Sequence, residues 1–252
     1  MKRFLTYILL IACTWPAYSK THVEIAEENS PSIVAINVLK KDGTTFTGTG
    51  FVVTQDGVIA TSRHVTDNAL YVNVTFNTGA MSGQANLLGQ AKEVDLAIIK
   101  IGAKDLPTVT FGDSDYVLPG QDITVIGNPR RLQNTVSSGL ISQVRKKSDG
   151  IIWHQISAPI SPSSSGSPVF DTQGNVISIA FSSYKGEGNQ NLNFAVPSNY
   201  LVKLLNAHGY YPTVISPEDN TPSEEASWWS KFVAHIKKSW EMICRLFSRH
   251  RS

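Results

Sequence analysis

Between residues 161 and 169 the chain reads Ser161-Pro162-Ser163-Ser164-Ser165-Gly166-Ser167-Pro168-Val169. A stretch so poor in large side chains offers backbone amides and hydroxyls, and little else. Those are the parts of an acyl-transfer site, in which a serine nucleophile sits beside N–H groups aimed at a developing oxyanion. Ser/Gly/Pro clusters are more often plain turns, so this reading needs a base and an acid elsewhere in the chain. Of the six histidines, His22, His208, His235 and His250 fall outside the β-rich region. His154 lies within the apolar run 151–156, where a structural role is the simpler expectation. His64 closes Ala60-Thr61-Ser62-Arg63-His64, at the end of a strand, from which an imidazole can be presented to a cleft. Asp95 immediately precedes the apolar Leu96-Ala97-Ile98-Ile99. An unpaired carboxylate at the mouth of a buried strand is costly, since breaking a buried ion pair destabilises by about 3–5 kcal/mol. Donation from an imidazole N–H would satisfy the carboxylate and fix the histidine tautomer. A solvated turn carboxylate is the competing reading of Asp95. Along the chain the base comes first, then the acid, then the serine loop.

The elements that must position these groups are short strands. A polar lead-in over residues 20–30 carries Glu24, Glu27 and Glu28 and suits a short helix. From residue 31 the pattern becomes β-branched: Ile33-Val34-Ala35-Ile36-Asn37-Val38, then 48–53 and 58–61 joined across an Asp56-Gly57 turn, a strong hairpin signal. Further strands are expected at 71–76, 84–88 and 96–101. After the Pro119-Gly120 turn a second series covers 122–126, 135–144, 151–156, 168–170, 176–181 and 193–196. Short strands at this spacing predict an all-β fold, a barrel or a sandwich. The two halves are of similar length without close repetition. Residues 198–205 have an N-cap and helical apolar spacing and should close the domain. Residues 209–226, with three prolines and the acids Glu218, Asp219, Glu224 and Glu225, read as a linker.

At 252 residues the chain has room for one large β domain or two small ones, and its 17% charged content is that of an ordinary globular protein. The net charge of +2 makes no case for nucleic acid. Lys2 and Arg3, the short apolar run 4–12, Pro16, and Ala17-Tyr18-Ser19 form an export signal expected to be cleaved after Ser19. A lipoprotein reading with Cys13 as the lipidated residue competes with it. Either way the mature protein is expected to be exported, to the periplasm or the extracellular space. Cys13 and Cys244 are the two cysteines, and neither lies in the β-rich core, so no internal disulfide is expected. There is no H-E-x-x-H helix and no paired-cysteine ligand set, which disfavours a zinc hydrolase, and no metal or other cofactor is expected.

Taken together, the motifs resemble the HtrA/Deg group of trypsin-like serine proteases from about Pro31 to Leu205. Besides the three motifs above, the resemblance rests on Phe111-Gly112-Asp113-Ser114-Asp115, Val125-Ile126-Gly127-Asn128-Pro129, Ser138-Gly139-Leu140-Ile141-Ser142 and Asn193-Phe194-Ala195-Val196-Pro197-Ser198. It implies a protease domain over 31–208, built as two six-stranded barrels of the trypsin (chymotrypsin) type with the site in the cleft between them. Gly166 and Pro168 set the register that selects Ser165 as nucleophile, with His64 as base and Asp95 as the acid that orients it. The same register puts the oxyanion donors on the N–H groups of Ser163 and Ser165. It places Pro159 and Ile160 at the floor of the substrate pocket, with no acid there, which favours a small or medium apolar side chain. The group typically reads Gly-Asn-Ser-Gly-Gly-Pro, whereas this chain has Ser163-Ser164-Ser165-Gly166-Ser167-Pro168. Ser163 thus adds a Cβ at a turn that favours glycine. The resemblance implies cleavage of unfolded or misfolded polypeptides and assembly into trimers. An inactive chaperone or binding module on the same fold is the alternative.

HtrA-type proteases usually carry PDZ domains, and the residues after 226 are too few for one. They have a different character. Trp228, Trp229, Phe232, Ile236, Trp240, Ile243 and Phe247 fall on or beside one helical stripe within 227–252, among Lys231, Lys237, Lys238, Arg245, Arg249 and Arg251. Tryptophans bordered by cations predict an amphipathic helix lying on an anionic membrane surface. Packing on the protease domain and self-association are the other two uses of such a stripe.

Overall fold

The computed structural model describes residues 19–128, 134–161, 163–183 and 192–216. Residues 1–18 of the expected export signal, the stretch beyond residue 216 and every member of the Trp-rich stripe lie outside the described residues. Among the described residues no helix is long and apolar enough to cross a membrane.

Helix α1 (His22–Asn29) opens the described chain, with Thr21 as N-cap in a capping box with Glu24. The first sheet follows: β1 (Ile33–Lys40), β2 (Thr45–Val52), β3 (Val58–Ser62), β4 (Ala69–Phe76), β5 (Met81–Gln84), β6 (Asn86–Ala91) and β7 (Leu96–Lys100). Its strand order is β5-β4-β1-β2-β3-β7-β6. The two outer members, β5 and β6, are separated only by Ala85, whose N–H donates to Val72 O at 2.8 Å. One broken strand therefore closes a six-stranded barrel, its first half pairing with β4 and its second with β7.

The second sheet contains β8 (Thr110–Gly112), β9 (Asp122–Gly127), β10 (Thr135–Lys146), β11 (Ile152–Ile156), β12 (Pro168–Phe170), β13 (Asn175–Ser183), β14 (Asn193–Pro197) and β15 (Val214–Ile215). The order β12-β9-β10-β11-β14-β13 returns on itself through a β12–β13 pairing, giving a second six-stranded ring. Strands β8 and β15 are added to it in parallel. Helix α2 (Arg63–Thr66) is a single turn after β3, and α3 (Ser198–Ala207) follows β14.

The solid apolar runs are explained by burial on both faces of a strand. Val34, Ile36, Val52, Ile59 and Ile99 fill the first barrel. Ile123, Val125, Ile141, Ile156 and Ile177 fill the second. Their neighbours in sequence, Ile33, Phe51, Ala60, Ile98, Ile126 and Val176, point the other way into a third cluster that both barrels share. Ile25 of α1 and Leu201 and Leu205 of α3 join that cluster.

Two domain limits need correction. The N-terminal limit at residue 31 leaves out α1, yet its Ile25 is only 1% exposed within the shared core. The C-terminal limit at residue 208 leaves out β15, which pairs Val214 with Phe111 and Ile215 with Gly112. The compact unit runs to Ile215. Proline content suggested a linker there, but proline is compatible with an edge strand, and Pro212 stands just before this one.

Candidate active site

His64 and Asp95 are brought together by strand pairing. Strands β3 and β7 run antiparallel with Ser62 opposite Leu96. The next residue on one side begins α2, and the residue before Leu96 on the other is Asp95. Arg63 N–H donates to Asp95 O at 2.8 Å, extending the ladder by one bond. Asp95 adopts φ +56, the left-handed region, at the end of a 3-10 turn over Lys92–Val94. An aspartate tolerates this conformation better than most residues. Both carboxylate oxygens are then engaged: Oδ1 accepts from the His64 backbone N–H at 3.0 Å, and Oδ2 lies 2.6 Å from His64 Nδ1. With Nδ1–H donating to the carboxylate, Nε2 is left as an acceptor toward the open side. The Phe46 ring meets His64 edge to face, 6.2 Å between centroids.

Arg63 is a member of this site that motif reading passed over. Its Nε lies 3.7 Å from Asp95 Oδ1, and its Nη1 pairs with Asp67 at 2.5 Å. The guanidinium thus supports Asp95 from a direction that His64 does not occupy. The sequence signal was its position directly before the histidine, since α2 has only four residues on which to place side chains.

The serine loop is held from the first barrel by Thr49, a second residue that sequence reasoning missed. Thr49 N–H donates to Ser165 O at 3.0 Å, and Thr49 Oγ1 donates to Ser163 O at 2.8 Å while accepting from Asn128 N–H at 3.0 Å. Its own carbonyl accepts from Thr61 Oγ1 at 2.7 Å. Gly166 faces the same carbonyl: a Cβ there would stand 2.1 Å from Thr49 O, and φ is +92. Only glycine fits that position.

Inside the loop the amides divide into two sets. Ser164 N–H donates to Ser161 O and Ser167 N–H to Ser164 O, each at 3.0 Å, and Gly166 N–H donates to Ala180 O at 2.7 Å. Among the described residues the N–H groups of Ser163 and Ser165 meet no acceptor. Ser163 occupies the third position of the turn closed by the Ser164–Ser161 bond and has φ +74. A positive φ at that turn position ordinarily requires glycine or asparagine. Ser165 Oγ donates to Phe181 O at 3.2 Å rather than to His64. Of the pocket-floor candidates, Pro159 is exposed, its carbonyl accepting from Ser137 Oγ at 3.1 Å, and Ile160 packs half-buried against the core of the second barrel.

A family model described as a trypsin-like peptidase domain matches residues 48–179. The chain belongs to that family. Its sequence relatives within this peptidase family are HtrA-type. A protein of Chlamydia muridarum described as a DegP-like periplasmic serine endoprotease is 38% identical over 156 residues, covering 60% of this chain and 31% of the relative. Serine protease HTRA1 of Xenopus tropicalis is 29% identical over 205 residues, covering 75% of this chain and 44% of the relative. The peptidase therefore spans less than half the length of the curated relatives it matches. Among solved structures, an HtrA-type protease, AlgW, with a bound tripeptide superposes with a TM-score of 0.69 at 28% identity, over 75% of this chain and 65% of that one. A serine endoprotease from Yersinia pestis superposes at 0.66 and 26% identity, over 76% and 67% respectively.

Proposed function

We propose that this trypsin-like peptidase is a serine endopeptidase of exported polypeptides. Ser165 Oγ attacks the scissile carbonyl, His64 Nε2 takes its proton and later protonates the leaving amine, and Asp95 holds the imidazole and balances its transient charge. The N–H groups of Ser163 and Ser165 stabilise the oxyanion. The observation that carries this reading is the two-point grip of Asp95 on His64, 3.0 Å to the backbone N–H and 2.6 Å to Nδ1, which fixes ring and tautomer together. The Ser165 hydroxyl must leave Phe181 O to give its proton to His64. Catalytic hydrogen bonds often tighten only when substrate binds. With Pro159 and Ile160 at the pocket floor, small or medium apolar side chains are the preferred residues at the cleaved bond.

The test is direct. Intact protein should cleave an unfolded casein-like substrate and take up a fluorophosphonate on Ser165, and Ser165→Ala should lose both activities. Cleavage that persists in that variant would sink the assignment. A second reading, a quiet binding module on the same fold, is favoured by the engagement of Ser165 Oγ with Phe181 O and by the cost of keeping Ser163 in the left-handed form that its proposed amide role needs. Absence of labelling in the intact protein would select it.

The DegP-like relatives are described as periplasmic, which supports export of this chain as well. We further propose that residues 227–252 bind an anionic membrane surface and that the protease domain self-associates, a trimer being the state the family resemblance favours. Co-sedimentation with anionic liposomes should be strong for the whole chain and weak for a 1–216 form. Equal binding by the two would remove the segment as an anchor.

A further inference from the structure

His154 has no part in the proposed chemistry, yet it is the most unusual polar group in the second barrel. It is 1% exposed. Its Nδ1 lies 2.5 Å from Ser178 Oγ, and that hydroxyl donates its own proton to Ile177 O at 2.7 Å. With the hydroxyl proton assigned to Ile177 O, Ser178 accepts from the ring, which places the ring proton on Nδ1 and a lone pair on Nε2. Among the described residues Nε2 has no partner. It is the ring atom left free to meet a molecule in the cavity that His154 lines.

The ring lines a cavity of about 180 Å³, none of whose lining residues belongs to the serine loop or to the His64–Asp95 pair. Val117, Val144, Ile152 and Pro197 supply apolar wall, and Tyr200 and Lys203 of α3 line it alongside Asp115 and Asn199. The volume is several times the ~30 Å³ share of one water. It is also below the ~300 Å³ at which sites for drug-sized ligands begin. One small ring is the right size. Tyr200 Oη accepts from Ile152 N–H at 3.0 Å, which leaves its own proton to give. A matching group must be apolar and ring-sized, donate to Nε2 and accept from the Tyr200–Lys203 side. An indole N–H only donates, whereas a phenolic hydroxyl does both.

We infer that this cavity is a binding site for a phenol-type group, whose hydroxyl donates to His154 Nε2 while its ring packs on Val117, Val144 and Ile152. Burial holds the His154 pKa down to about 4, so at neutral pH the ring is uncharged and its acceptor is permanently available. The site is separate from the proposed chemistry and does not depend on it.

The experiment uses the full chain carrying Ser165→Ala, to avoid self-cleavage, at neutral pH. p-Cresol and toluene are titrated while the His154 ring resonances are followed by NMR. p-Cresol should bind at least tenfold more tightly than toluene and move the Nε2 resonance. His154→Phe should erase that preference. Val144→Phe, which fills the cavity and keeps the histidine, should weaken both ligands and serves if the first variant folds poorly. Equal affinity for the two ligands, an Nε2 resonance that stays put at saturation, or unchanged p-cresol binding in Val144→Phe would each overturn the inference. N-acetyl-tyrosinamide in a parallel titration separates the sources: binding of both phenols points to a tyrosine side chain of a partner polypeptide, and binding of p-cresol only points to a free phenol.

Discussion

Ser163 is the residue on which the working state of the serine loop turns. On the proposed reading its N–H, held at φ +74, and that of Ser165 are the oxyanion donors, and neither meets an acceptor among the described residues. A non-glycine residue in the left-handed region costs about 1–2 kcal/mol. Rotation of the preceding peptide to a negative φ relieves that cost and turns the Ser163 N–H away. In Ser163→Gly the penalty disappears, shifting the local balance toward the oxyanion-binding form by a factor of about 5 to 30, at 1.36 kcal/mol per decade. Global stability should change much less. Glycine adds about 0.4–1 kcal/mol of unfolded-state entropy, which offsets about half of the gain, so the Tm should move by only about 2–4 °C. The measurement is the second-order rate of fluorophosphonate labelling alongside a thermal melt. A several-fold faster rate with a nearly unchanged Tm is expected. Ser163→Ala removes the hydroxyl and keeps the Cβ, so it should stay within about twofold of the parent by the same cost of the left-handed region. A Ser163→Gly rate that is unchanged or lower, or an equal rise in Ser163→Ala, would refute the reasoning.

Gly166→Ala should abolish labelling and lower the Tm by roughly 6–12 °C, for a penalty of about 3 kcal/mol. The new Cβ would stand 2.1 Å from Thr49 O, and the two backbones cannot part without losing the Thr49–Ser165 bond; a variant that folds and labels normally would contradict this. Acid should act through His154. Its folded pKa of about 4 lies below the ordinary 6.5, so the unfolded chain binds the extra proton between those values. Stability contributed by the neutral imidazole is complete above about pH 6.5 and declines toward pH 4, by at most about 3 kcal/mol. Chemical denaturation of the parent and His154→Phe across that range should show a steeper decline in the parent, and parallel curves would remove His154 as the cause.

Much of this fold was legible because its strands are punctuated in sequence. The Asp56-Gly57 hairpin, the Pro119-Gly120 break between the two series and the β-branched runs all declare themselves locally. Periodicity could not reveal why those runs are solid, because Ile33 and Val34 face two different cores that exist only once both barrels are closed. The short strands β8 and β15 were missed for a related reason. They have three and two residues and owe their extended form to each other and to β13. The 71–76 and 96–101 strands were found nearly in full, whereas 84–88 was read as one strand where Ala85 divides the chain between two partners.

The sequence by itself determined which residue types are available for chemistry and in what order: a histidine at a strand end, an aspartate before a buried strand, and a serine run with one glycine in a position of fixed register. These are covalent facts that local propensity makes readable. Tertiary structure decided which atoms meet. It set Asp95 Oδ2 at 2.6 Å from His64 Nδ1, made Thr49 the strut of a loop more than a hundred residues away, and left the amides of Ser163 and Ser165 without an acceptor among the described residues. Such contacts depend on strand register and on the closure of two barrels against each other. No stretch of chain contains either within itself.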